Sequence, residues 1–453
     1  MVKAIDWEEV TEPYSHDIAL LLDLLKQPTV YDPQTVSPQS PHGDALKGVL
    51  IWLKGIADRW GFSTQIYHHE VLTIQLPGKS DRRIETVCHV DVVSVSGNWR
   101  FPPFSAHISD GKLYGRGTQD MKVQLWSNLI ALKIIKDQGI VPERTIRLVI
   151  GTDEERTMQD VKRYVAEAGL PEFAFTPDGA FPLCLGEKGV WTAEISQTVK
   201  SSLIKIKTYQ DSNIICDRVD VWLPAKDRAR AHDFLTTQHV KFKLGKEQQL
   251  IFLGQSSHSS LPEQGENAII VMLKFVATFY HEKWAQTYLN TFSDYYGSAI
   301  GLDKYVSNMG LTTYSLNQIK LETDHLVAVL DVRHNGKTNA ATLQALTAEH
   351  LPEAVVKTVY VDPVTKTDLD NPFVAKLLEI YHHENPTDHA QPYYSGGVSY
   401  SKVYAGKCVA FGGDGIDSTL PNLAHQTNEY TLLKILPKLL RIYTHALFEL
   451  TNL

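Results

Sequence analysis

His89 and Asp91 stand two residues apart in Glu85-Thr86-Val87-Cys88-His89-Val90-Asp91-Val92-Val93, an apolar, β-branched run that reads as a buried strand. On a strand, residues i and i+2 point to the same face, so both polar side chains are expected to reach one cleft. An imidazole steadied by a carboxylate is a common way to fix the tautomer of a metal-ligating histidine. The same pair reads equally well as a hydrogen bond that closes a strand end. Further polar groups fall at predicted strand ends or helix starts: Asp120, Asp153-Glu154-Glu155, Asp178 after Thr176-Pro177, His258, and His425 in Ala424-His425-Gln426-Thr427-Asn428-Glu429. Singly, each is an ordinary solvated group. Together they are imidazoles and carboxylates without thiolate, a donor set suited to zinc, manganese or cobalt. Two such ions need about five side chains, one of them bridging.

The elements that must carry these groups have the order of an α/β sheet. A strand over 84–93 leads through the rigid loop Gly97-Asn98-Trp99-Arg100-Phe101-Pro102-Pro103-Phe104 to a helix that starts at Thr118 to Asp120, keeps Val123, Trp126, Ile130 and Ile134 on one face, and ends at Gly139. A second strand, 145–151, runs straight into Asp153 and is followed by a helix over 157–169. Ligands of such sheets gather at the carboxyl ends of the strands. Upstream, helices are predicted over 15–26 and 44–60, separated by a Pro- and Ser-rich loop, and strands over 63–67 and 71–76.

From Val190 to about Val361 the texture changes. Strand-like runs (191–197, 203–208, 217–223, 248–253, 326–332) mix with helices (224–236, 267–282, 340–349), as in an α+β domain of its own. From Asn371 the helical pattern returns, with a strand at 408–411 and a long amphipathic helix from Thr431 onward.

The bulk numbers bound the function. A chain of 453 residues is long for one core. Its 44 Lys plus Arg against 52 Asp plus Glu leave a net charge of −8, with no basic run to follow a phosphate backbone, which argues against a nucleic-acid partner. The cysteines at 88, 184, 216 and 408 form no CxxC pair and read as reduced core thiols. The N-terminal stretch lacks a signal peptide's apolar core, and no run approaches the roughly 18 apolar residues of a membrane span. A soluble cytoplasmic protein without a membrane partner is expected.

Taken in order, His89-x-Asp91, Gly115-Arg116-Gly117-x-x-Asp120, Asp153-Glu154-Glu155, Pro177-Asp178, Gly254-x-x-x-His258-Ser259-Ser260-x-Pro262 and the late His425 resemble the di-zinc metallopeptidases that include aminoacylases, succinyl-diaminopimelate desuccinylases and carboxypeptidase G. Within that family, Thr176-Pro177-Asp178-x-x-Phe181-Pro182, Glu187-Lys188-Gly189, Pro262-Glu263-x-Gly265-x-Asn267-Ala268 and Ala424-His425-Gln426-x-Asn428-Glu429-Tyr430 resemble the bacterial PepV-type dipeptidases. The resemblance implies a catalytic α/β domain, with a mostly parallel sheet flanked by helices, formed by residues 1–188 and 366–453 and interrupted by an α+β lid domain over 189–365.

The resemblance also implies roles. Asp120 would bridge two divalent ions, zinc in the first place with manganese or cobalt as alternatives. Glu155 and His425 would complete one site, His89 and Asp178 the other. Asp91 would sit behind His89, and Glu154 would be the general base for a water activated between the two ions. In the lid, His258 would stabilise the oxyanion, Arg333 would clamp the substrate carboxylate, and Asn213 would lie near the substrate. The implied reaction is hydrolysis of dipeptides with a free amino terminus. The alternatives are an N-acyl-amino-acid deacylase of the same family and a non-catalytic peptide- or metal-binding relative. A lid of this size favours the dipeptidase and a monomer, with a homodimer as the other possibility.

The sequence departs from the family at several places. Ser94 stands where Pro is usual, Met121 follows the bridging aspartate in place of Asp or Asn, and the dipeptidases' glycine run appears as Gly396-Gly397-Val398-Ser399-Tyr400-Ser401-Lys402. These changes touch the pocket rather than the proposed ligands, so the reaction is better defined than the substrate.

Overall fold

Strands that bury runs of consecutive residues, rather than alternate ones, are covered on both faces. Four such strands lie side by side in the first sheet: Arg144–Gly151, Ser80–His89, Phe173–Thr176 and Cys408–Ala410. All three pairings between them are parallel. Antiparallel strands Val71–Leu76 and Ser63–Tyr67 extend the sheet on one side and Cys184–Glu187 on the other. A computed structural model describes residues 5–305 and 307–453, so the first four residues of the N-terminal stretch lie outside the description.

Helices cover both faces of this sheet, which makes the architecture α/β. Lys122–Asp137 and Leu436–Asn452 pack on each other and against the two central strands. On the opposite side Val87, Val149 and Ala174 meet Val161 and Tyr164 of the helix Gln159–Ala168 and Tyr400 and Tyr404 of a short 3-10 turn. The helix expected to begin at Thr118 begins at Lys122, because Met121 holds a non-helical φ of −135° and ψ of 37°. Asp120 is therefore on the loop ahead of it. Nor is this helix amphipathic: Leu125, Ser127, Asn128 and Leu132 are buried along with the expected apolar face, since neighbouring helices and the sheet enclose it.

The ends of the chain also differ from expectation. The predicted helix 15–26 is found as Ala19–Leu25, and an additional helix, Trp7–Ser15, precedes it, its Asp6 cap accepting from the backbone N–H groups of Glu8 and Glu9. The last helix starts only at Leu436, with Pro437 in its first turn, after a short strand Tyr430–Leu432.

The second unit is built on a different plan. The first unit comprises the described residues up to Gly186 with Thr365–Tyr393 and Val398–Leu453; the second comprises Glu187–Val364 with Tyr394–Gly397. The sequence places the breaks after 188 and 365, and the brief return of the chain at Tyr394–Gly397 has no sequence signal. Eight strands in the order Phe242–Leu244, Gln249–Leu253, Arg218–Trp222, Lys205–Lys207, Thr313–Glu322, His325–His334, Gly189–Thr198 and Val355–Asp362 form one sheet in which every pairing is antiparallel. The apolar helix Ala268–Phe279 packs on its strands and supplies much of the core. No helix among the described residues is long and apolar enough to cross a membrane. All four cysteines are free and buried.

Candidate metal centre

Three adjacent parallel strands end at one edge of the first sheet, and each delivers an expected residue there. His89 closes Ser80–His89, Glu154 and Glu155 follow Arg144–Gly151, and Asp178 follows Phe173–Thr176. Asp120 arrives from the loop before its helix. His425 arrives from the loop between Gly413–Asp414 and Tyr430–Leu432, with a φ of 65° in the left-handed region that residues bearing a Cβ adopt only occasionally.

The donor atoms converge. His89 Nε2 lies 2.9 Å from Asp120 Oδ1 and 3.8 Å from Asp178 Oδ2. His425 Nε2 lies 3.0 Å from Asp120 Oδ2, and 3.1 and 3.0 Å from Glu155 Oε1 and Oε2. Asp120 thus turns one oxygen toward each imidazole. His89, Asp120 and Glu155 could share one ion, as could His89, Glu154 and Asp178, the ligand atoms of each trio lying within 4.8 Å of one another.

Asp91 reaches His89 differently from expectation. The strand stops at His89, so the two residues do not share a strand face, and the Asp91 backbone carbonyl is the nearer partner of His89 Nδ1 at 2.9 Å. Its carboxylate Oδ1 is at 3.5 Å. The same carboxylate accepts from the backbone N–H groups of Glu154 (3.3 Å) and Glu155 (3.1 Å). Asp91 therefore orients His89 and also pins the turn that carries both glutamates.

The electrostatics are those of a site that requires positive charge. Burial alone would lower the pKa of His89, but the hydrogen bonds it donates to Asp120 and Asp91 carry it well above the usual imidazole value. His425 is pushed up to about 11 in the same way, burial being outweighed by Asp120 and Glu155. Asp120 is held below the usual carboxylate range despite its burial by the two imidazoles. Glu154 is raised well above the ordinary value, first by burial and then by Asp178; Glu155 is raised by burial and by Asp120. Four carboxyl groups crowd together around two imidazoles. That imidazole–carboxylate donor set, without sulfur, fits zinc, manganese or cobalt.

Several supporting residues escaped the sequence reading. Glu429 is fully buried and accepts from Arg116 Nη1 (2.7 Å) and the Gln119 backbone N–H (2.8 Å), while Arg116 Nη2 donates to the His425 carbonyl at 3.3 Å. This ion pair ties the Asp120 loop to the His425 loop. Beneath Glu154, Asp160 Oδ2 accepts from the backbone N–H groups of Thr152 and Asp153 and from Tyr400 Oη. His42 Nδ1 meets Thr152 Oγ1 at 2.8 Å. Their separation in sequence left no local signal: His42 lies in a stretch that reads only as loop.

Met121 provides no ligand. Its sulfur lies 3.5 Å from the His89 backbone N–H, in a fully buried position.

The remaining expected residues lie in the second unit. His258 and Asn213 are brought together: the Ser259 N–H donates to the Asn213 carbonyl at 2.9 Å, and Ser260 Oγ is 2.6 Å from His258 Nδ1. Arg333 is buried and bonded through Nε and Nη2 to both oxygens of Asp331, at 2.7 and 3.2 Å, with Nη1 3.2 Å from the Gly396 carbonyl. Gly396 has to be glycine, since a Cβ there would stand 2.4 Å from Ser260 Cβ. The altered glycine run therefore keeps the one glycine whose space the His258 loop occupies.

Comparison with known proteins gives a consistent picture. The model of Peptidase family M20/M25/M40 matches residues 86–449. A Staphylococcus aureus protein provisionally named a dipeptidase is 28% identical over 469 aligned residues, covering 98% of this chain and 99% of its own. Among solved structures, human carnosine dipeptidase 1 aligns with a TM-score of 0.63 at 12% identity over 99% of this chain and 100% of its own. A metallo-carboxypeptidase of Sulfolobus solfataricus aligns with a TM-score of 0.60 at 16% identity over 96% of this chain and 99% of its own.

Proposed function

Because the chain belongs to Peptidase family M20/M25/M40 and is a metallopeptidase, a hydrolase of peptide bonds, we propose that its substrates are dipeptides with a free amino terminus and that Glu154 is the general base. The observation that carries the base assignment is a contrast among the clustered acids. Asp120, Asp178 and Glu155 each have an imidazole partner, whereas the Glu154 carboxylate makes no hydrogen bond or ion pair among the described residues. In this reading Asp120 would be shared by two ions, with His89 and Asp178 holding one and His425 and Glu155 the other.

When bound, two divalent ions, zinc foremost, supply Lewis acidity that lowers the pKa of a water from about 15.7 towards roughly 7 and polarises the scissile carbonyl. Glu154 takes a proton from the attacking water and returns it to the departing amine. Its raised pKa suits a group that must hold a proton between the two steps. Asp91 fixes the orientation of His89 and of the Glu154–Glu155 turn. In the second unit we assign His258 to the oxyanion and Arg333, held in one orientation by Asp331, to the substrate carboxylate, with Asn213 near the substrate. The dipeptidase name of the S. aureus relative supports dipeptides over longer peptides. The four free, buried cysteines support a cytoplasmic site of action, and the eight-stranded second unit supports a monomer.

The test is turnover of dipeptides, tripeptides and N-acyl amino acids with zinc or manganese supplied, alongside Glu154→Ala. The dipeptides should be preferred, and the variant should lose about 10²–10⁴ in kcat while keeping its metal. Unchanged turnover would remove the base assignment, lost metal would make Glu154 a ligand, and faster N-acyl substrates would make the enzyme a deacylase.

A further inference from the structure

A second group of metal-type donors lies in the first unit and shares no residue with the centre above. His383 and Glu384 form the last turn of the helix Pro372–Glu384, and His445 stands in the middle of Leu436–Asn452, which packs against it. One donor atom from each of the three falls within 4.8 Å of the others. They line a cleft whose wall is completed by Asp6, Trp7 and Glu449. We propose that this cleft binds one divalent transition-metal ion, of the zinc, nickel or copper(II) class, through His383, Glu384 and His445.

Three observations carry the proposal. First, Nδ1 of His445 is buried without a hydrogen-bond partner among the described residues, and a buried polar atom left in that state carries a desolvation cost that a bound ion would relieve. The ring is held in place by stacking on Trp7, with centroids 5.9 Å apart at 30°. Second, the two imidazoles are held beside each other, the ring centroids of His383 and His445 lying 5.9 Å apart at 84°. Third, Glu384 is already oriented: Arg441 Nε donates to its Oε2 at 2.5 Å, while its Oε1 is 3.5 Å from His383 Nδ1. A hydrogen bond on the outer oxygen of a ligating carboxylate is the usual supporting arrangement. Arg441 is the one guanidinium among the cleft's described lining residues, against the carboxylates of Asp6, Glu8, Glu384 and Glu449, so the local field favours a cation. Two imidazoles with a carboxylate select a borderline transition metal over calcium or magnesium.

The ion would staple the end of one helix to the middle of another. The test counts bound metal in the full chain after chelation and dialysis against buffered zinc, comparing wild type with His383→Ala. The His383 side chain is 72% exposed, so its removal leaves the core untouched. The variant is expected to bind one ion fewer per chain, to lose part of the zinc-induced rise in thermal midpoint, and to hydrolyse peptides at the wild-type rate. The same difference of one ion is expected in an Asp120→Asn background, which separates this site from the catalytic one. Equal metal counts in the paired proteins, in either background, would overturn the proposal.

Discussion

The two imidazoles of the candidate metal centre are held by opposite means. His89 is the last residue of a strand paired on both sides, it is fully buried, and Met121, Tyr400 and Asp91 surround it. His425 lies on a loop at positive φ, its side chain is 53% exposed, and its backbone is fixed by the buried pair Arg116–Glu429. One half of the site is a product of the sheet, the other of a polar network laid over it. The difference teaches where each half should fail. Damage to the strand half should cost the fold as well as the chemistry, whereas damage to the loop half should cost metal and activity and spare the fold.

The largest effect should come where the halves meet. Asp120 faces both imidazoles, so Asp120→Ala removes both halves at once. Its kcat/KM should fall by more than the roughly 10²–10⁴ that loss of a base alone produces. Metal analysis should show both ions weakened. If one ion stayed bound at wild-type affinity, Asp120 would not be shared.

The comparison itself is broken or sharpened by His89→Ala against His425→Ala. Removing the fully buried His89 leaves a cavity in the core as well as taking away the imidazole that Asp120 and Asp178 share, and large-to-small changes at such positions cost about 2–5 kcal/mol. His425→Ala opens no buried cavity. Thermal unfolding of the metal-free proteins should show a large drop for the first and little change for the second. Equal drops would mean that the loop half is as much a part of the core as the strand half.

Glu429→Gln addresses the loop half's own support. Arg116 is 3% exposed and would keep its charge without a buried counter-ion. The expected signature is a loss of about 10–100-fold in metal affinity, the range for groups that orient ligands. Arg116→Ala should have a similar effect.

How much of this was legible in the sequence follows the same division. The strand half could be read from local pattern: apolar runs that end in His89, in Asp153-Glu154-Glu155 and in Pro177-Asp178, alternating with helices, define the carboxyl edge of a parallel sheet. The exact reach of Asp91 could not be read, because it turns on the strand stopping at His89 rather than running on to Val93. In the loop half, His425 was reached through a motif, and nothing local indicated the positive φ or the buried pair. Arg116 and Glu429 are 313 residues apart, and only the fold joins them. The second unit shows the same limit. Thr313–Glu322 is missing from the sequence reading because a bulge at Asn317 shifts its apolar positions from Tyr314 and Leu316 to Ile319 and Leu321, so no single alternation runs through it.

pH should separate the halves as well, with smaller effects of opposite sign. Beneath the strand half, burial raises Asp160 to about 7. A carboxyl whose folded pKa exceeds its unfolded value stabilises the protein most when protonated, so its contribution declines as pH rises from about 4 to 7. Asp160→Asn should abolish that decline, and an unchanged slope of thermal midpoint against pH would count against it. The loop half contains the converse case. Asp417, on the segment that leads to His425, is bonded to Lys434 at 2.5 Å, and that bond lowers its pKa to about 2. Its contribution is therefore present above the unfolded pKa near 3.9 and is lost as pH falls toward 2. Because this is a surface pair, Asp417→Asn should cost under about 1 kcal/mol at neutral pH, and the deficit should vanish near pH 2 and shrink in high salt. A deficit that persisted in acid would show that Asp417 braces the His425 loop through its bonds to Thr419 rather than through the charge of Lys434.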